Sequence, residues 1–195
     1  LIGNYFKKIE NKYKNYFFSG LSFKSSECKR NDIFFAIKGN KNNGNQYVDE
    51  AIKKGAKIII SERKFQGVKK NILYLKSKNV RKLLAELSYK IFKDRPNNLI
   101  AVTGTNGKSS VADFYFQILS LNKKKVASIG TLGIKTSYNT KPVINTTLDP
   151  ITLASELSDL KKKKINNVIL EASSHGLKQN RLNGLNFKSA VFTNL

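Results

Sequence analysis

The residues best suited to chemistry lie in one run, Thr103-Gly-Thr-Asn-Gly-Lys-Ser-Ser110. Glycines at 104 and 107 let the backbone curl until its N–H groups converge on an anion. Lys108 adds a positive charge that can reach terminal phosphates, and Ser109 offers a hydroxyl to Mg²⁺. An apolar strand, Leu99–Thr103, leads into the run, and a helix predicted over Ser109–Leu121 follows it. That order puts a phosphate at a helix N-terminus. The run departs from the G-x-x-x-x-G-K-[ST] string, because Val102 stands where the first glycine belongs. We read it as a variant phosphate loop that binds ATP with Mg²⁺ through Gly104, Thr105, Asn106, Gly107, Lys108, Ser109 and Ser110.

Other groups could act with this loop. Glu171 closes the apolar strand Asn167–Ala172. Ligands bind beyond the carboxyl ends of strands in open parallel sheets. Glu171 could therefore hold Mg²⁺ across from Ser109. His175, the single histidine, follows in Ser173-Ser-His-Gly176. Asn145-Thr146-Thr147 is a polar triplet that suits a polar ligand or an ordinary turn. Gln179 and Arg181 come next, and Arg181 is a candidate anion contact.

The elements that must position these groups fall into two α/β parts. The first runs to Asp94. It holds an apolar strand over 32–39, a polar loop over 40–45, and a short helix with Tyr47, Val48, Ala51 and Ile52 on one face. Gly55 stops that helix. Strands follow at 57–61 and 72–75, then an amphipathic helix marked by Val80, Leu83, Leu84, Leu87 and Ile91. Pro96 makes a break after it. The second part, 95–195, alternates strands at 99–103, 126–131, 167–172 and 190–193 with helices. Helix 109–121 should turn Val111, Phe114, Tyr115, Ile118 and Leu119 inward. Asp149-Pro150 reads as an N-cap and first helical residue, leading to Leu153, Leu157 and Leu160. Continuous apolar strands separated by helices imply a parallel sheet covered on both faces, and 190–193 should be a buried strand of it.

Composition excludes several classes. Lys and Arg number 36 against 13 Asp and Glu, a formal charge of +23. Clustered basic residues could serve nucleic acid. Here lysine predominates, the lysines are scattered, and Lys123–Lys125 and Lys161–Lys164 sit where helices should end. We read a lysine-rich surface and expect no nucleic-acid partner. No apolar run approaches the roughly 20 residues of a membrane helix, and no signal peptide opens the chain. Cys28 is the single cysteine, which excludes an internal disulfide. A cytoplasmic monomer is expected. The chain has no methionine and stops within an apolar strand, so a fragment cut at both ends is also expected.

Together the motifs resemble the Mur ligases of bacterial cell-wall synthesis, above all the type that extends UDP-N-acetylmuramoyl-L-alanyl-D-glutamate. The resemblance rests on Thr103–Ser110, Asn145–Thr147, Glu171-Ala-Ser-Ser-His-Gly-Leu177 with Gln179 and Arg181, Ala190–Leu195, and Ser25 with Asn31–Gly39. It implies a UDP-sugar-binding domain over 1–94 and an incomplete ATP-binding domain over 95–195. Lys108 would hold ATP phosphates. Ser109 and Glu171 would bind one Mg²⁺, and His175 would help bind a second. Phe23, Ser25 and Asn40, Lys41 and Asn42 would contact the UDP end. Asn145, Thr146, Thr147, Ser173, Gln179 and Arg181 would contact the muramoyl dipeptide. Two residues depart from the family: Ser26 stands where Arg is usual, which could change nucleotide contacts, and Leu148 where Pro is usual, which should loosen a loop. The implied reaction is ligation of a diamino acid, diaminopimelate or lysine, through an acyl phosphate. A carbamylated lysine and an amino-acid-selecting domain would lie beyond Leu195, so the chain alone should be inactive. The alternatives are a folylpolyglutamate or cyanophycin synthetase type of ligase, or a basic nucleotide- or nucleic-acid-binding module.

Overall fold

The structure, a computed structural model, describes residues 1–6, 9–39 and 42–194. Contacts divide the chain into two compact units, Leu1–Leu87 and Ser88–Leu195. Both are built on α/β sheets.

In the first unit, β1 (Gly20–Ser22), β2 (Asp32–Phe35), β3 (Ile58–Ser61), β4 (Gly67–Lys69) and β5 (Ile72–Lys76) form one sheet. The order is β1-β2-β3-β5-β4, parallel except for β4 against β5. Ile33-Phe-Phe35 and Ile58-Ile-Ile60 are buried at every position, as parallel strands covered on both faces must be. On one face Phe34, Ile59 and Ile72 pack with Val48 and Ala51 of helix α1 (Val48–Lys53). The chain leaves α1 through Gly55 at φ 110°, where a Cβ would also lie 2.8 Å from the Arg30 Cα. Strand β2 is shorter than the predicted 32–39. The chain bends after Phe35, because the Ile37 N–H bonds to the Phe35 carbonyl and the Gly44 N–H to the Ile37 carbonyl. Helix α2 (Val80–Ile91) follows the predicted periodicity and buries Val80, Leu84 and Leu87. The division between units falls within this helix, ahead of the Asp94 boundary read from Pro96.

In the second unit, β6 (Asn98–Thr103), β7 (Val126–Gly130), β8 (Gly133–Thr136), β9 (Thr140–Lys141), β10 (Asn167–Glu171) and β11 (Ser189–Phe192) form a sheet. Its order is β11-β6-β10-β7-β8-β9. The first four strands in that order are parallel, and β8 and β9 fold back as antiparallel hairpins. Helix α3 (Lys108–Leu121) connects β6 to β7 with β10 between them, and Val102, Ala112 and Ile169 meet at its base. Helix α4 (Pro150–Lys162) starts as predicted: Asp149 Oδ1 accepts the N–H groups of Ile151 and Thr152, each at 3.0 Å. Helix α5 (Ser174–Lys178) follows β10.

Two expectations are corrected here. Phe114 and Ile118 do not face inward; they are 61% and 58% exposed. The stripe that meets the sheet is Ala112 and Phe116, flanked by Val111 and Tyr115. Helix α3 has more apolar residues than the sheet covers, so apolarity alone misassigns its face. Strand β11 is exposed at all four positions, not buried; it lies at the edge of the sheet, and among the described residues β6 is its single neighbour. Among the described residues, no helix is long and apolar enough to cross a membrane.

Tyr89, only 1% exposed, donates its hydroxyl to the Arg181 carbonyl at 2.8 Å and so ties the last turn of α2 to the segment after α5. Burial pushes its phenol well above the usual value of 10. Tyr89→Phe removes this hydrogen bond and should lower the urea-unfolding free energy by about 0.5–1.5 kcal/mol. The unfolded phenol ionises first, so the wild type should lose stability as pH rises above 10. Urea melts between neutral and strongly alkaline pH should show a smaller decline in the Phe variant.

Candidate functional site

The loop after β6 is shaped by two glycines in the left-handed half of backbone space, Gly104 at φ 135° and Gly107 at φ 82°. A Cβ on Gly104 would lie 2.1 Å from Thr193 Oγ1, so the loop passes tightly against the end of β11. Thr193 donates its N–H to the Thr103 carbonyl at 2.9 Å and its hydroxyl to the Asn106 carbonyl at 2.6 Å. Gly107 caps α3, whose first N–H groups lack acceptors within the helix and whose dipole favours an anion there. Lys108 Nζ bridges the carbonyls of Gly104 and Thr105 at 2.6 and 2.9 Å, which lays its charge along the loop. Ser110 is exposed on the first turn.

Register carries Glu171 to this loop. Strand β10 runs parallel to β6 with Glu171 opposite Val102. The carboxylate is 2% exposed and must be satisfied inside the protein. Its Oε2 accepts the hydroxyls of Ser109 at 3.0 Å and Thr131 at 3.1 Å, and its Oε1 accepts the Thr131 N–H at 3.0 Å. Gly130 makes room: a Cβ there would lie 2.1 Å from Oε1. Thr131 and Gly130 escape the sequence reading. Their signal is Gly130-Thr-Leu-Gly133, the two-residue turn that joins β7 to β8.

A second group of hydroxyls continues the network. Thr131 Oγ1 lies 3.0 Å from Thr146 Oγ1. Thr147, buried, donates to the Glu171 carbonyl at 2.9 Å, accepts the Ser173 N–H at 2.9 Å, and lies 3.0 Å from Ser173 Oγ. Ser173 caps α5 by accepting the Gly176 N–H at 3.1 Å. Gly176 is required there, since a Cβ would fall 2.7 Å from Thr147 Cβ. Arg181 donates through Nε and Nη2 to Gln179 Oε1 at 3.0 and 2.8 Å, and through Nη1 to the Thr147 carbonyl. Burial lowers the Arg181 pKa from its usual value, and the nearby Asp149 charge opposes this. Gln179 Nε2 lies 2.6 Å from His175 Nε2.

Thus Ser109, Thr146, Thr147, Glu171, Ser173, Gln179 and Arg181 share one hydrogen-bonded network. His175 joins at its exposed rim, through Gln179. Among the described residues no three His, Cys, Asp or Glu side chains form a metal cluster. The donors that do converge, one carboxylate with the Ser109 and Thr131 hydroxyls, are all oxygens. They fit Mg²⁺, which takes few protein ligands and fills its shell with water and phosphate. Asn145 is exposed. Leu148 is buried, 7% exposed. In the first unit, Ser25 is buried and donates to Glu50 Oε2 at 2.7 Å, a partner the sequence did not flag. Phe23 is half-buried, Ser26 and Asn42 are exposed, and Asn40 and Lys41 lie outside the described residues.

Fold and site define a phosphate-loop α/β protein whose parallel strands deliver a glycine loop, a carboxylate and a hydroxyl cluster to one sheet edge. The Mur ligase middle domain matches residues 102–195, and the catalytic domain of the Mur ligase family matches residues 18–91. The chain belongs to the Mur ligase family. It is 41% identical over 179 residues to the UDP-N-acetylmuramoyl-L-alanyl-D-glutamate–2,6-diaminopimelate ligase of Rickettsia montanensis, covering 89% of this chain and 37% of that one. The ligase of the same name from Wigglesworthia glossinidia brevipalpis is 40% identical over 185 residues, with 91% and 37% covered. A solved structure of a ligase of that name superposes with TM-score 0.81 at 32% identity, over 96% of this chain and 38% of that one. The MurF ligase of Thermotoga maritima, solved with ADP, shares the fold at 22% identity and TM-score 0.61, with 89% and 37% covered. The chain therefore spans 37% of the length of these curated relatives.

Gly130→Ala should force Glu171 out of its pocket. The expected cost is about 1–3 kcal/mol in urea unfolding, with Thr131→Ser, which keeps the hydroxyl, close to wild type.

Proposed function

We propose that this chain supplies the nucleotide- and UDP-sugar-binding part of an ATP-dependent ligase. The ligase would join a diamino acid to the D-glutamyl carboxylate of UDP-N-acetylmuramoyl-L-alanyl-D-glutamate. The observation that carries this reading is the meeting of Ser109 and Glu171 at the mouth of the phosphate loop, 3.0 Å apart. The names of the relatives favour 2,6-diaminopimelate over lysine as the diamino acid. In this reading residues 1–94 hold the UDP end through Phe23, Ser25 and Asn40–Asn42. Residues 95–195 hold ATP. The enzyme works as a monomer in the cytoplasm.

A carboxylate is a poor acylating agent, so it must gain a leaving group. Its oxygen attacks the γ-phosphorus of ATP, ADP departs, and an acyl phosphate forms. The diamino acid's amine then attacks the acyl carbon, the C–O bond breaks, and phosphate leaves with the amide formed. Lys108, released from the loop carbonyls, offsets charge on the transferring phosphoryl group. The amides at the start of α3 hold the remaining phosphates. Thr147, Ser173, Gln179 and Arg181 hold the dipeptide end in line with the γ-phosphate; Gln179 already fixes the plane of the Arg181 guanidinium. Ser109 and Glu171 would hold Mg²⁺, whose charge lowers the barrier to phosphoryl transfer, and His175 would reach a second ion.

Titration calorimetry tests this reading. The chain should bind UDP-N-acetylmuramoyl-L-alanyl-D-glutamate saturably, and Arg181→Ala should abolish that binding while circular dichroism stays native. Lys108→Ala should weaken MgATP by about tenfold or more, the loss of one charge-assisted contact. Salt-sensitive binding of DNA with no response to the UDP sugar would instead favour the basic nucleic-acid module.

A further inference from the structure

Resting on the reading of residues 103–110 as a phosphate site, we infer that Asn194 is a positioning residue for that loop, a strut that sets its backbone before nucleotide arrives. The side chain lies 88 to 89 positions away in sequence from the groups it holds. Its Oδ1 accepts the N–H groups of Thr105 at 3.1 Å and Asn106 at 3.0 Å. Its Nδ2 donates to the Asn106 carbonyl at 3.2 Å. Two successive N–H groups converging on one oxygen make an anion-binding concavity. Here a neutral carboxamide fills it.

Such a group could be a placeholder that phosphate displaces, or a permanent strut. The surroundings select the strut. Asn194 extends β11, whose ladder with β6 ends at Phe192 opposite Thr103. Thr193 adds its N–H to the Thr103 carbonyl at 2.9 Å and its hydroxyl to the Asn106 carbonyl at 2.6 Å. Withdrawing Asn194 would strip hydrogen bonds from both sides of Asn106 while the strand stays paired. The N–H groups from Gly107 to Ser110 open α3 and need no intrahelical acceptor, so they are the ones left for phosphate. Asn194 therefore fixes the first half of the loop and leaves the second half to the ligand.

Amide hydrogen exchange by NMR on the 195-residue chain, with calorimetry of MgADP and MgATP, tests this. In the wild type the Thr105 and Asn106 amides should stay protected at saturating MgADP. Asn194→Ala should speed exchange at Asn106 by about tenfold and less at Thr105, whose N–H keeps the Asn194 backbone carbonyl at 3.4 Å, spare Ala101 and Val102 in β6, and weaken MgADP and MgATP equally, by about tenfold. Asn194→Asp should restore protection, since a carboxylate accepts both N–H groups. It should also weaken MgATP more than MgADP, because its charge repels the extra phosphate. A general loss of folding would not split the two nucleotides. The inference is overturned if exchange at Thr105 and Asn106 is the same in the Ala variant as in the wild type. It is equally overturned if exchange rises when nucleotide saturates the wild type, which marks a displaced placeholder. A wild type that shows the exchange pattern but binds neither nucleotide would retain the strut and remove the nucleotide reading.

Discussion

A carboxylate out of water has to be satisfied by the protein around it, and Glu171 places that demand at the centre of the second unit. Leaving it unpaired would cost several kcal/mol, a large share of the roughly 5–15 kcal/mol by which domains are stable. Three donors therefore come to it from two places in the chain: the Ser109 hydroxyl in the first turn of α3, and the hydroxyl and N–H of Thr131 in the β7–β8 turn. Each donor fixes something else. Ser109 locks the start of α3 over β10. Thr131 locks the hairpin, and through it the strand order. Gly130 has to lack a side chain because the carboxylate passes where a Cβ would stand. The same oxygens that hold the fold are those a hard cation would use. The site is thus preorganised by the need to bury its own charge.

Thr147 performs the corresponding task for the backbone at the end of β10. One hydroxyl serves the Glu171 carbonyl and the Ser173 N–H, and the Thr147 carbonyl receives Arg181. Backbone groups just past a strand end have lost their ladder partners and must find others. Thr147 supplies these for the Glu171 carbonyl and the Ser173 N–H, which orders the short link between β10 and α5. The tight fit of Gly176 against Thr147 keeps the two loops in contact. The positioning of Arg181 is then a consequence of this packing, together with the hold of Tyr89 on its carbonyl.

What the sequence makes legible follows from the range of each interaction. The glycine loop that opens α3, the capped start of α4 and the amphipathic α2 are local patterns, and all three appear where the spacing predicts them. Glu171 is legible because its place at a strand's carboxyl end is also local. Thr131 is not legible: nothing in Gly130-Thr-Leu-Gly133 says which carboxylate lies beside it until β7 and β10 are paired. Glu50 beside Ser25, 25 positions apart, is hidden for the same reason. The faces of α3 and β11 are illegible for a different reason. Phe114, Ile118, Val191 and Phe192 are apolar yet exposed, so their residue types carry no information about what covers them.

The formal charge of +23 invites the idea that a general positive field draws in the nucleotide. The fold argues for local forces instead. Lys123–Lys125 follow the C-terminus of α3, and Lys161–Lys164 end α4, where helix dipoles favour cations. These positions immediately precede β7 and β10, at the amino ends of the parallel strands. The phosphate loop leaves β6 at the carboxyl end. Strands of five or six residues separate the two edges by about 16–20 Å, and screening length in physiological salt is about 8 Å. Lys161 is in any case engaged, its Nζ donating to Asn97 and Asn166 at 2.7 Å each. The far lysines therefore contribute little at the loop. In the proposed reading, affinity for phosphate comes from the α3 amides, Lys108 and the groups that hold them in place, so the residues bracing the loop matter more than the charge of the whole chain.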